Sequence, residues 1–112
     1  MDQLADAFDV VASYFSALSE PMRLRIMHAI CETEKTVSQI VEETGATQTN
    51  VSRHLGIMYR SGVLARRKQG NRVYYRAADP AMVELCRGVC KSISEHAGEN
   101  SLLRRELLRM IP

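Results

Sequence analysis

The chain has 112 residues, 46% apolar and 25% charged, which suits one globular domain and is too short for two ordinary ones. No apolar run approaches the ~18 residues of a membrane span, and the acidic start Met1-Asp2-Gln3-Leu4-Ala5-Asp6 lacks the basic flank and apolar block of a signal peptide, so a cytoplasmic protein is expected. Three cysteines are odd in number and too few for a disulfide scaffold, leaving buried thiols or reactive ones.

Leu4, Phe8, Val11, Phe15 and Leu18 have a/d spacing and predict an amphipathic helix over about 4–18. Ser19-Glu20-Pro21 stops it and starts a second helix, with Ser19 as candidate N-cap, Pro21 in the first turn and Met22, Ile26, Ala29 and Ile30 facing inward. Thr36-Val37-Ser38-Gln39 matches the capping box and opens a short helix with Val37, Ile40 and Val41 inside, ending at Gly45. Thr47 opens the next helix, which buries Val51, Leu55 and Met58 and closes at Ser61-Gly62. The period then changes. Residues 63–67 and 72–76 are short β-prone runs around a polar tip, Lys68-Gln69-Gly70-Asn71, and read as a hairpin. Asp79-Pro80 starts a fifth helix with Met82, Cys86, Val89, Cys90, Ile93 and Ala97 as its buried stripe. After Gly98, Leu102, Leu103, Leu107, Leu108 and Ile111 form a last short helix. The order is ααααββα(α), mainly helical with a small hairpin.

Charge is segregated along this order. Residues 47–76 contain Arg53, Arg60, Arg66, Arg67, Lys68, Arg72 and Arg76 and no acid, a net +7, while the other 82 residues carry −5. A concentrated positive field of this kind is the footprint of a polyanion-binding surface. Two helices joined at Gly45 read as a helix-turn-helix. The second exposes Gln48, Thr49, Ser52 and Arg53, small hydrogen-bonding groups and a guanidinium near the helix start, the part that meets base edges in a major groove. Arg66, Arg67, Lys68 and Arg72 on the hairpin suit a neighbouring phosphate backbone or minor groove.

Ser19-Glu20-Pro21-Met22-Arg23-Leu24-Arg25-Ile26, Gln48-Thr49-Asn50-Val51-Ser52-Arg53-His54-Leu55, and Gly62-Val63-Leu64 through Arg72-Val73-Tyr74-Tyr75-Arg76 together resemble the ArsR/SmtB family of winged-helix repressors, over roughly residues 8–97. The resemblance implies one winged helix-turn-helix domain spanning 1–112, with the helix-turn-helix at about 36–61 and the wing at about 63–76. It further implies a homodimer through helices at about 4–18 and 79–97, bound to a double-stranded operator and released by an inducer. Thr47, Gln48, Thr49, Asn50, Ser52, Arg53 and His54 on the recognition helix, with Lys68, Asn71 and Arg72 on the wing, are the candidate DNA contacts. The cysteine pair that arsenic- and cadmium-type members carry on the third helix has no counterpart in Val37-Ser38-Gln39-Ile40-Val41. Of the zinc-type site on the fifth helix only His96-Ala97-Gly98-Glu99 matches, with Val83 and Leu85 where the other ligands belong; His28 stands where sulfide-responsive members have a cysteine.

Cys86 and Cys90 are one turn apart on the fifth helix and Cys31 ends the second. Helical neighbours have Cβ atoms ~5–6 Å apart, too far for a direct disulfide. An arsenite-type metalloid or a sulfane-sulfur bridge fits that separation, making the three thiols candidate inducer sensors; the alternative is three small core residues. An oxidoreductase would want Cys-x-x-Cys at a helix N-terminus, which is absent. A protein-docking winged helix would not need an acid-free surface.

Overall fold

The computed structural model describes residues 3–99 and 101–109. Ile111, expected in the last helix, lies outside them. Two compact units divide the chain between Asp79 and Pro80. The first holds α1 (Gln3–Ser16), α2 (Pro21–Ile30), β1 (Lys35–Thr36), α3 (Val37–Thr44), α4 (Gln48–Arg60), β2 (Leu64–Gln69) and β3 (Arg72–Ala77); the second holds α5 (Pro80–His96) and α6 (Leu102–Arg109).

Ile26 of α2, Ile40 of α3, Val51, Leu55 and Met58 of α4 and Val63 are fully buried and form the core of the first unit. Each such side chain contributes roughly 1.5–3 kcal/mol on burial, so this three-helix contact dominates the fold and the small sheet rides on it. Thr36 accepts from the Gln39 amide at 3.3 Å while Gln39 Oε1 accepts from the Thr36 amide at 2.9 Å, the reciprocal cap expected for α3. Gly45 ends that helix in the left-handed conformation, its N–H bonded to the Val41 carbonyl at 2.9 Å.

Four expectations change. The hairpin is part of a three-stranded antiparallel sheet in the order β1-β3-β2, with Lys35 opposite Tyr75 and Thr36 opposite Tyr74. A two-residue strand is too short to show a period. β2 runs on to Gln69, which pairs with Arg72, so Lys68 belongs to the strand and only Gly70 and Asn71 form the tip. Gly70 has φ 62 and no other residue there has positive φ, the pattern of a II′ turn. α1 ends at Ser16, and α2 is preceded at its N-cap by Glu20, not Ser19, whose hydroxyl instead donates back to the Ser16 carbonyl at 2.7 Å.

The apolar stripe expected to be buried on α5 is not, and that of α1, an expected dimer face, lies open in the single chain. No residue of α1 is buried, and Phe8 is 66% exposed. On α5 the buried residues are Val83 and Ser94, whereas Leu85, Val89 and Ile93 stand exposed and Cys86 and Cys90 are half-buried. Apolar periodicity marks which face seeks cover; it does not say whether the cover comes from the same chain. α5 and α6 pack on each other, and Leu102, Leu103 and Leu108 of α6 remain exposed. No helix among the described residues is long and apolar enough to cross a membrane.

Candidate nucleic-acid interface

α4 begins at a capped end. Thr47 accepts from the Asn50 amide at 3.2 Å, leaving the amides of Gln48 and Thr49 as the orphan donors of the first turn. Gln48, Thr49, Ser52 and Arg53 are exposed on one face, opposite the buried Val51, Leu55 and Met58. The Arg53 Nη2 donates to Asn50 Oδ1 at 3.1 Å, so Asn50 orients the guanidinium along the helix surface. Free amides, hydroxyls, a carboxamide and a guanidinium are donors suited to phosphate oxygens and base edges.

On the wing, Lys68, Asn71 and Arg72 are exposed around the tip. An open cleft of about 410 Å³ lies between this tip and the first turn of α3, lined by Ser38, Gln39, Asn71 and Arg72 among others. Two other cations of the wing, Arg66 and Arg67, are engaged with the protein. Arg66 lies over the Tyr59 ring, 3.8 Å from its centroid. Arg67 lies 4.5 Å over Tyr74, donates to Gln69 Oε1 at 2.6 Å, and forms a forked pair with Glu34, with Nε 2.9 Å from each carboxylate oxygen. This pairing holds the Glu34 carboxyl below its ordinary range and pushes Arg67 up. Sequence charge alone counted Arg67 with the free wing cations; its acid partner lies 33 residues earlier, in the turn before β1.

His54 departs from its expected place among the DNA contacts. It is 2% exposed, because positions 51, 54, 55 and 58 form a single inward stripe of α4. Its Nδ1 accepts from Arg23 Nε at 3.2 Å, and its Nε2 lies 3.7 Å from Glu20 Oε2. Burial, then the neighbouring Arg53, pushes its pKa below that of an ordinary imidazole, and Glu20 opposes them. Arg23 and Glu20 did not emerge as site residues from the sequence. The signal was present in the spacing: Arg23 shares the 0, 3, 4, 7 stripe of Ile26, Met27 and Ile30.

The thiols are all free and half-buried. Cys31 Sγ donates to the His28 carbonyl at 3.1 Å. Burial, with Cys90 adding to it, pushes the Cys86 thiol up. His96 is exposed, with Nδ1 2.7 Å from the Ser92 carbonyl. Among the described residues no three His, Cys, Asp or Glu side chains are gathered as a metal site.

Residues 20–66 match the model of a family described as bacterial regulatory protein, arsR family. A helix-turn-helix-type transcriptional regulator of Mycobacterium tuberculosis is 33% identical over 79 residues, which is 70% of this chain and 69% of that one. A probable mercury resistance operon repressor of Streptomyces lividans is 34% identical over 77 residues, covering 69% of this chain and 62% of its own length. Among solved structures, the homodimeric winged helix-turn-helix DNA-binding domain of a Mycobacterium bovis protein superposes with a TM-score of 0.80 at 30% identity, over 90% of this chain and 94% of that one.

Proposed function

The chain belongs to the ArsR family of bacterial regulatory proteins, and from that premise we propose that it is a homodimeric repressor that reads an operator with α4 and grips its backbone with the wing. One observation carries this reading. The exposed donors of α4 and the exposed Lys68, Asn71 and Arg72 lie on a stretch of 30 residues without an acid, and Glu34, from outside that stretch, pairs with Arg67. The apolar faces of α1 and α5 supply what a second copy would cover: Phe8 and Phe15 on one, Leu85, Val89 and Ile93 on the other. Paired recognition helices would then meet an imperfect palindrome with half-sites about one turn, ~10 bp, apart or a multiple of it. Such a regulator works in the cytoplasm, on DNA.

The test is titration with duplexes selected from a randomised pool and with random-sequence DNA at two salt concentrations. A selected duplex bound no more tightly than random DNA would sink the reading, as would a monomer by sedimentation at micromolar concentration.

For release from the operator, the thiols are the groups this chain offers. Cys86 and Cys90 sit a turn apart beside the exposed Leu85 and Val89, so a ligand bridging them acts at the surface a second copy would cover. The raised Cys86 pKa disfavours its thiolate at neutral pH and hence simple oxidation. An arsenite-type metalloid, which exchanges its hydroxyls for thiolates with release of water and no redox change, fits better. A sulfane-sulfur bridge, in which two sulfane sulfurs leave one sulfur between the thiols and one as hydrogen sulfide, also begins with thiolate attack and is the second reading. Cys31 is the third thiol of this reading. Replacing each cysteine by serine and titrating operator release with arsenite, sulfane sulfur and peroxide separately assigns the inducer. A triple variant that is still released as the parent is leaves the thiols as packing.

A further inference from the structure

Arg23 and His54 each lie on the inward stripe of their helix and meet in the interior of the first unit, 8% and 2% exposed. The Arg23 fork is fully engaged. Nε donates to His54 Nδ1 at 3.2 Å, Nη1 donates to the Ser16 carbonyl at the end of α1 at 3.0 Å, and Nη2 lies 3.5 Å from Glu20 Oε1. At the other edge of the ring, Nε2 is 3.2 Å from Arg53 Nη2 and 3.7 Å from Glu20 Oε2. The charged groups acting on this ring are Glu20 from the α1–α2 turn, Arg23 from α2 and Arg53 from its own helix.

A buried imidazole flanked by two guanidiniums is neutral at pH 7, and a neutral imidazole has one N–H and one acceptor nitrogen. Two donors therefore face a ring that can serve one. The two guanidinium contacts are equal in length, and the Glu20 carboxylate on the Nε2 edge favours the ring proton there, which leaves Nδ1 to accept from Arg23. In that tautomer Nε2 is not an acceptor for Arg53 Nη2 at 3.2 Å, and the bond to Asn50 Oδ1 is the one that holds Arg53. In the opposite tautomer Nε2 would accept from Arg53 and hold it against the protein by a second bond.

We infer that Arg23 is a positioning residue for DNA reading: by claiming Nδ1 it fixes the Nε2–H tautomer of His54, which denies Arg53 a second acceptor on the protein and leaves its guanidinium available to a base edge. This rests on the reading of Arg53 as a base-contacting residue. It also connects the end of α1, through the Ser16 carbonyl, to the residue that meets the DNA.

The test combines imidazole ¹⁵N spectra of the labelled full chain at pH 7 with titration of a duplex selected from a randomised pool. The parent should show a protonated Nε2 and a bare Nδ1. Arg23→Met should move the proton to Nδ1 and weaken the selected duplex roughly tenfold, the scale of one good base contact, with random DNA unaffected. His54→Asn keeps an acceptor near the Nδ1 position only and should bind as the parent does. His54→Gln keeps one near the Nε2 position, should pin Arg53, and should weaken the selected duplex by a similar factor. A protonated Nδ1 in the parent, or equal binding by the Asn and Gln variants, overturns the inference even if Arg23→Met fails to fold. Arg53→Ala separates the two levels. If it abolishes the preference for the selected duplex while the Asn and Gln variants behave alike, only the tautomer role fails. If it binds as the parent does, the base-contacting reading fails and the inference with it.

Discussion

The hydroxyl of Tyr14, on α1, stands 2.9 Å from where a Cβ on Gly62 would lie, and the ring carbon behind it 3.4 Å. Gly62 has φ 89 and turns the chain from α4 into β2, so the aromatic end of α1 closes over a position that needs both the backbone freedom and the missing side chain. Gly62→Ala should cost about 2–4 kcal/mol, from a strained backbone and an overpacked contact together, read by urea denaturation. Adding Tyr14→Phe should recover only the contact share; full recovery would mean that backbone strain contributes nothing.

The two halves of the DNA surface should lose affinity differently. Arg53→Ala should cost ~1–3 kcal/mol on a selected duplex and little on random DNA. Lys68→Ala and Arg72→Ala should weaken both alike and flatten the salt dependence by roughly one counterion each. Equal losses on both DNAs from all three variants would contradict the division between helix and wing.

Glu34 keeps Arg67 out of the free cation count. Glu34→Gln should therefore raise affinity for random DNA and steepen its salt dependence by up to roughly one counterion. Since the folded carboxyl titrates below its ordinary value, the pairing is complete above the unfolded carboxylate range and disappears as pH falls through the depressed value. The parent at acidic pH should approach the variant in thermal stability; an unchanged gap between them would show that the pair does not respond to its proton.

His54 sets a second pH response. Its folded pKa lies below the unfolded ~6.5, so the unfolded chain binds the proton first. Stability is then complete above that pH and falls as pH drops below it toward the folded value. His54→Asn should remove this slope in denaturation midpoints measured between pH 7.5 and 5, and a slope that persists in the variant would assign it to another group.

The helices and the caps of α3 and α4 were legible because their signals are local, whereas Ser19 looked like a cap for α2 and its hydroxyl turns back to Ser16. Thr36 and Gln39 lie three apart, and α4 announces itself by Thr47 at one end and Ser61-Gly62 at the other. β1 was illegible since a two-residue strand has no pattern of its own and exists only through Tyr74 and Tyr75. The site was legible where exposure follows helical spacing, as for Gln48, Thr49, Ser52 and Arg53. His54 was placed among the DNA contacts by the recognition-helix resemblance, whereas its stripe with Val51, Leu55 and Met58 puts it inside. Arg67 was misread for a different reason: a cation's partner can be remote in sequence, and local charge counts do not see it.

Thr36 ends β1 and caps α3, with no residue between strand and helix. Through Tyr74 the same residue is joined to the wing, so the first helix of the helix-turn-helix and the wing share one hinge-free joint. The chain thus behaves as a caliper whose jaws are set at synthesis. Changing the distance between α3 and the wing would have to break the pairing of Lys35 and Thr36 with Tyr75 and Tyr74 or the cap on α3. One residue inserted between Thr36 and Val37 would turn α3 by about 100° relative to the strand and leave a protein with both grips intact and no common setting.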